Sequence, residues 1–334
     1  MNVLYVVPDL KKVSGGPRTR INMFKSVFVK NGNLVIEKGN KFTRSLFPRK
    51  INRVYIESAT NRISIIDFIS LLFLRLYAKE VTVFIRDIYI ELFPEEYQTV
   101  RSKLTLILNK FSNFYLTLIA TSMVFPTCTM GAVFFEKNKM FPKRSFTDLP
   151  PGTVIRTEDR AQPRFKEKLG ILYLGSTKYT NSGFDKFVGF SDKYSENYNF
   201  YVLSGDENLK RDLAGTSIFF NSVNHSEIAD FIAVHNIAYA LHTRPRNEYD
   251  DLTFPIKVLD FVSLQLPFFT EKHIPLVNLL GDEYKLFLDV NDFDKMHQTI
   301  QKIDTVSYES LMVFLKEITL NNTYDERYNK LLSV

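Results

Sequence analysis

The sequence predicts an α/β protein of two Rossmann-like domains whose parallel sheets face each other across a cleft. Three observations predict it. The 334 residues are enough for two domains of about 150 residues each. Short β-rich runs alternate with amphipathic stretches through both halves, the pattern of parallel sheets. A loop signal, LPPGTV at Leu149–Val154, opens a polar stretch that reads as a linker. The expected division is 1–157 for the first domain, 158–315 for the second, and 316–334 for a closing helix packing back toward the first.

In the first half, strands are expected at Asn2–Val7, Leu34–Ile36, Val54–Ile56, Val81–Ile85 and Met123–Pro126. Helices fit Thr19–Lys30, Ser64–Tyr77 and Tyr97–Ala120. Ile63–Leu76 is the most hydrophobic segment. Asp67 and Arg75 interrupt it and it is too short to span a bilayer, so a buried core helix is expected. In the second half, strands are expected at Ile171–Ser176, Phe200–Gly205, Ser217–Phe220, Ile237–His242 and Pro267–Thr270. Helices are expected near Gly183–Lys193 and Ser226–Val234.

Hydrophobic residues make up 45% of the chain and charged residues 24%, an ordinary globular balance. The single cysteine, Cys128, excludes an intramolecular disulfide, favours the cytoplasm and reads as a small core residue. MNVLYVVPDL is too short and too weakly charged for a signal peptide, and reads as a first strand. Residues 1–160 carry 25 Lys and Arg against 13 Asp and Glu, a net charge of +12, whereas residues 161–334 carry 18 against 24, a net charge of −6. A basic first half suits an anionic membrane surface or acceptor. The chain shows no helix-turn-helix, zinc or RNA-binding signature, so nucleic acid is not an expected partner. The five histidines lack metal-ligand spacing, and no Gly-x-Ser-x-Gly occurs.

The chemistry concentrates in DLTFPIKVLDFVSLQLPFFT, Asp251–Thr270, read as a loop, a Pro-started helix and an apolar strand. Lys257 stands in the helix's first turn, where unpaired N–H groups make a cation unfavourable unless an anion docks there. Asp260, three residues on, projects from the same side and could accept from ribose hydroxyls. Arg244 and Arg246, just upstream, could clamp phosphate. Together they point to a bound nucleotide.

YLGS at Tyr173–Ser176, VLSG at Val202–Gly205, Ser222–Pro245, FPIKVLDFVSLQLPFF and TYDERYNKLL at Thr323–Leu332 resemble, in order, the donor domain of GT-B glycosyltransferases, especially family 4. SGGPRTR at Ser14–Arg20 resembles the family's Gly-rich loop beside the donor phosphates, with Arg18 and Arg20 adding charge. FIRDIYIELFPEEY at Phe84–Tyr97 resembles the segment that often holds a His-Asp pair, with Arg86 here in place of the histidine. Family 4 usually carries two glutamates with seven residues between them. Asp260 takes the second place and Leu252 the first, which marks an outlying branch.

The resemblance implies an N-terminal acceptor-binding domain and a C-terminal nucleotide-sugar domain. It implies a metal-independent hexosyltransferase, retaining, that uses a UDP- or GDP-linked donor with no cofactor. The acceptor would be a glycan or lipid-linked saccharide of cell-surface polysaccharide synthesis. The implied donor set is Gly15, Gly16, Arg18, Gly175, Arg244, Arg246, Thr253, Lys257 and Asp260, with Lys257 and Arg244 assisting departure of the diphosphate. If the reaction inverts, Asp87 is the candidate base and Asp9 the second. The expected location is cytoplasmic, with peripheral attachment to the inner membrane face. A non-catalytic GT-B subunit and a nucleotide-sugar epimerase on the same fold are the alternatives.

Overall fold

A computed structural model of the chain describes residues 3–13, 15–37, 51–58, 63–156, 160–178 and 181–334. Asn2, Ser14 and the expected boundary at 157/158 lie outside the described residues. The chain forms two compact units. The first comprises Met1–Gly152, Leu252–Phe254 and Tyr324–Val334, and the second comprises Thr153–Asp251 and Pro255–Thr323.

In the first unit, β1 (Val3–Val7), α1 (Gly15–Lys30), β2 (Leu34–Glu37), β3 (Arg53–Ser58), α2 (Ile65–Tyr77) and β4 (Glu80–Ile85) are followed by α3 (Tyr89–Leu92), α4 (Val100–Ile119), β5 (Ser122–Phe125), α5 (Cys128–Lys137) and β6 (Ser145–Asp148). Among the described residues the strands form one parallel sheet in the order β2-β1-β3-β4-β5-β6. All five residues of β1 are buried, as expected of a parallel strand covered on both faces. Strand alternation sends Leu4 and Val6 into one core with Ile56 and Val83. It sends Val3, Tyr5 and Val7 into the other, with Phe24, Phe28 and Tyr55.

Four readings of this half are corrected. Ile63–Leu76 is a helix, but not a core helix: within α2 only Ser70, Leu71 and Leu74 are buried. A helix that is apolar all round still has only one face to give a sheet. Cys128 is exposed at the first residue of α5, with Sγ 3.3 Å from Asp148 Oδ1. Gly15 and Gly16 form the first turn of α1, so the helix begins four residues before Thr19. Arg20 is not a free surface charge but is buried: its Nε lies 2.9 Å from Glu57 Oε1 and its Nη2 donates to the Tyr55 hydroxyl at 3.2 Å. The guanidinium also stacks on Phe84 at 4.1 Å. Short, weakly patterned elements went unpredicted, namely the single-turn α3, α5, and the polar edge strand β6.

The second unit runs β7 (Gly170–Leu174), α6 (Phe184–Tyr194), β8 (Asn199–Leu203), α7 (Asn208–Asp212), β9 (Ile218–Asn221), α8 (Ile228–Val234), β10 (Ile237–His242), α9 (Glu248–Leu252), α10 (Ile256–Ser263) and β11 (Phe268–Thr270). The helices α11 (Ile274–Leu280), α12 (Phe293–Lys302) and α13 (Thr305–Asn321) follow. Its parallel sheet has the order β11-β10-β7-β8-β9. Counted from β7 as the first strand, this is the Rossmann order 3-2-1-4-5, and the order reverses between β7 and β10. The chain then returns to the first unit as α14 (Tyr324–Leu332), whose Tyr324 and Tyr328 meet Phe24 and Phe28 edge-on at 5.3 and 5.0 Å.

Candidate functional site

Open α/β sheets bind ligands beyond the carboxyl ends of their strands, at the point where strand order reverses. In the second unit that point lies between β7 and β10. β7 ends at Leu174 and the chain turns at Gly175, where φ is +115°. A side chain would be strained there, and the absence of one leaves backbone facing α10: a Cβ on Gly175 would lie 3.8 Å from Lys257 Cδ.

α10 starts after Pro255, whose fixed φ suits a helix entry, and Lys257 is its second residue. Its ammonium sits 4.7 Å from the centroid of the Tyr173 ring. Among the described residues no carboxylate lies within ion-pair distance of it. Burial, then the nearby Arg244, push the Lys257 ammonium down to about 7, while Asp250 acts the other way. A partly buried cation with no carboxylate beside the free N–H groups of a helix start has the composition of an anion site.

The end of β10 forms the second wall. His242 is buried, with Nδ1 2.9 Å from Thr270 Oγ1. Burial, followed by Lys257, His273 and Arg244, holds this imidazole well below the ordinary range, so it is neutral. Among the described residues His242 Nε2, Thr243 Oγ1 and His273 Nδ1 are buried without hydrogen-bond partners. Buried polar groups are normally satisfied, and unsatisfied ones at a strand end mark a place for solvent or ligand. Gly183, at φ +69°, lets the start of α6 press on this loop: a Cβ there would stand 1.8 Å from Thr243 O. Arg244 gives one Nη1 to the buried carboxylate of Asp250.

The third wall is a pocket of about 380 Å³ beyond β7, β8 and β9, lined by Gly175, Ser204, Gly205, Asp206, Val223 and His225 among others. Asp260 faces it through His225, whose Nε2 lies 2.9 Å from Asp260 Oδ1. That bond raises the His225 pKa, against the opposing effects of burial and Arg156. Sequence reasoning missed both His225 and Arg156. The signal for His225 was its turn, where Asn224 and Glu227 form a reciprocal capping box.

The structure brings Gly175, Lys257, Asp260 and Arg244 to one end of one sheet. Arg246 is nearby in the chain but turned to the surface, bonded to Asp251 Oδ2 at 2.8 Å. The segment Glu248–Leu252, expected as a loop, is the short helix α9. Thr253, through the tripeptide Leu252–Phe254, belongs to the first unit, and so do Gly15, Gly16, Arg18 and Asp87. Leu252 is buried in a core of that unit, and its carbonyl accepts from Thr127 Oγ1 at 2.7 Å. A glutamate there would place a charge in an apolar core. Asp87 accepts from the Tyr89 amide at 2.8 Å, and Asp9 from the Lys11 amide at 3.1 Å, both turn-capping roles. Arg18 is exposed on α1. Among the described residues there is no group of three or more His, Cys, Asp or Glu placed to hold a metal, and no helix long and apolar enough to cross a membrane.

No protein-family model matches the chain, and no curated protein matches it by sequence. Solved structures do match. The N-terminal domain of Candida albicans trehalose-6-phosphate phosphatase aligns with a TM-score of 0.63 at 12% identity, covering 99% of this chain and 96% of that one. An E. coli trehalose-6-phosphate structure bound with UDP-2-fluoro glucose gives 0.59 at 11%, covering 100% and 98%. An alpha-glucosyltransferase in complex with UDP and a 13-mer DNA gives 0.67 at 12%, covering 99% and 98%. Likeness of this extent at such low identity establishes the architecture: two Rossmann-like units with parallel sheets, the GT-B fold.

Proposed function

We propose that the protein is a glycosyltransferase that moves a sugar from a nucleotide-sugar donor to a glycan or lipid-linked saccharide. The observation that carries this reading is Lys257, a partly buried cation without a carboxylate at the start of α10 and at the reversal point of the sheet. A diphosphate fits there, between the ammonium and the first-turn N–H groups. The pocket beside Asp260 and His225 would take the nucleoside, with Asp260 accepting from ribose hydroxyls. The UDP in the alpha-glucosyltransferase neighbour favours UDP over GDP.

In the transfer, the bond between the anomeric carbon and the diphosphate oxygen breaks and its electron pair leaves with the phosphate. Lys257 and the free N–H groups of Arg244 would stabilise that charge. The acceptor oxygen forms the new bond to the anomeric carbon, and its proton passes to the departing phosphate oxygen. We place the enzyme in an outlying branch of family 4, retaining and metal-independent, acting in polysaccharide synthesis at the inner membrane face. Asp87 would serve as base only if the reaction inverts. The resemblance also assigns Gly15, Gly16, Arg18 and Thr253, all of the first unit, to donor binding.

A second reading, a non-catalytic GT-B subunit, is favoured by one observation: Leu252 is a core residue where family 4 places a donor-binding glutamate. Calorimetric titration with UDP and GDP, paired with a nucleotide-release assay on UDP-sugars, separates the two. Binding with slow release supports the enzyme. Binding with no release for any donor supports the subunit, and absence of binding overturns the donor site.

A further inference from the structure

The first unit carries an apolar surface that nothing in the donor site explains. On α2, Ile65, Ile69, Leu72 and Leu76 are 81%, 48%, 45% and 71% exposed. Their spacing of four, three and four places them along one side of the helix. On α4, Val100, Leu104, Ile107 and Phe111 repeat the pattern at 88%, 57%, 62% and 55% exposed. From Val100 to Phe111 this helix has no fully buried residue: one side is half-buried, through Ser102, Thr105, Leu106, Leu108 and Asn109, and the stripe lies on the exposed side.

The two stripes adjoin. Phe68 of α2 stacks on Phe111 at 6.3 Å and on Tyr115 at 3.9 Å, and the Tyr115 hydroxyl donates to Phe68 O at 2.6 Å. A contiguous apolar face of bulky side chains on a water-facing surface marks an interaction site.

The charges around it select the partner. Arg75 and Lys79 flank the stripe on α2, and Arg101, Lys103 and Lys110 flank that on α4. Lys103 and Lys110 stand four before and three after Ile107, on the same side of the helix. The helix α4 contains no acidic residue. Asp67, the one acidic residue of α2, is spent on the capping box with Ser64. Glu95 and Glu96 lie in the turn before α4, where Glu96 is bonded to the Tyr89 hydroxyl. An apolar stripe edged by cations is complementary to a bilayer with anionic headgroups. The aliphatic side chains enter the acyl boundary while the Lys and Arg heads stay at the phosphates.

We propose that the exposed sides of α2 and of the first half of α4 form a membrane-docking surface that inserts Ile69, Leu72, Leu104 and Ile107 into an anionic lipid interface. This locates and deepens the peripheral attachment proposed above. It does not depend on the donor site, so failure of nucleotide binding leaves it standing.

The chain contains no Trp, so Ile107→Trp introduces a single reporter at an exposed position. The full chain is mixed with vesicles of phosphatidylglycerol and phosphatidylcholine in equal amounts, or of phosphatidylcholine alone, at low and high salt. The expected result is a blue-shifted emission with the anionic vesicles that weakens but persists at high salt. In the Ile69→Asp/Leu104→Asp variant, co-sedimentation should fall at least about tenfold, since each apolar side chain withdrawn from lipid removes that much or more. Its melting temperature should be unchanged, because both sites face solvent, and Lys257→Ala should bind vesicles like the parent. Three results overturn the proposal. One is no shift and no sedimentation with either vesicle. Another is binding abolished by salt and indifferent to the aspartates, which is pure surface attraction. The third is a blue shift that rises with protein concentration without lipid, alongside a dimer in analytical ultracentrifugation, which assigns the face to a second copy of the chain.

Discussion

Replacing Lys257 by Met should make the unliganded protein more stable and its nucleotide binding weaker. The lysine's ammonium has an ordinary pKa of 10.5 and is held near about 7 in the fold. At ~1.4 kcal/mol per pH unit, that gap sets a ceiling of roughly 5 kcal/mol on the cost of the charged form. Water reaching a partly buried side chain screens much of it, which leaves about 1–3 kcal/mol. The sign follows from proton counting. Between about 7 and 10.5 the unfolded chain binds more protons than the folded one, so stability rises with pH across that window. Below about 7 the full penalty is present.

Lys257→Met abolishes the penalty and keeps the contact with the Tyr173 ring. At pH 7 the melting temperature should rise by about 3–8 °C for a unit of this size, and the stability gain of the parent between pH 7 and pH 10 should flatten. In the same variant the affinity for UDP should fall about 30–100-fold, the worth of one charge-assisted phosphate contact. Differential scanning calorimetry across pH and titration calorimetry at pH 7 read the two effects. A variant that melts lower and binds UDP within twofold of the parent would refute the assignment, because the lysine would then be an ordinary stabilising side chain.

Other expectations concern the surroundings of that site and the first unit's core. Asp260→Asn and His225→Ala should each weaken UDP about tenfold yet leave inhibition by inorganic pyrophosphate unchanged, since they face the nucleoside pocket and not the anion site. Gly183→Ala should cost about 3 kcal/mol or more in urea unfolding, because a Cβ at φ +69° meets Thr243 O at 1.8 Å. A change below ~1 kcal/mol would mean the loop after β10 yields freely. Glu91 is buried, accepts from Asn113 Nδ2 at 2.7 Å, and is pushed up to about 7 by that burial. The folded chain therefore holds its proton longer than the unfolded one, and stability falls as pH rises from 4.5 to about 7. Glu91→Gln should raise the melting temperature at pH 8 and leave it unchanged at pH 4, and equal effects at both would exclude the carboxyl's titration as the cause.

The strands were legible because a parallel strand is a continuous apolar run. Val3–Val7 and Ile237–His242 stand out with no tertiary information, and both are fully buried. The place of Lys257 and Asp260 on one short helix was legible because a Pro-led apolar run marks a helix start. What could not be read locally were partners that meet through the sheet. His225 reaches Asp260 across 35 positions, Arg20 reaches Glu57 across 37, and His242 is held neutral by burial in the fold and then by Lys257 and His273. The same limit misled the reading of Ile63–Leu76. Its composition specifies an apolar helix, but which side of that helix finds a core depends on the area the sheet can cover. The lysine's place at the head of α10 was therefore determined by sequence alone. Its setting at the strand-order reversal, beside Gly175 and Tyr173, was decided only by the fold, because strand order is a property of non-local pairing.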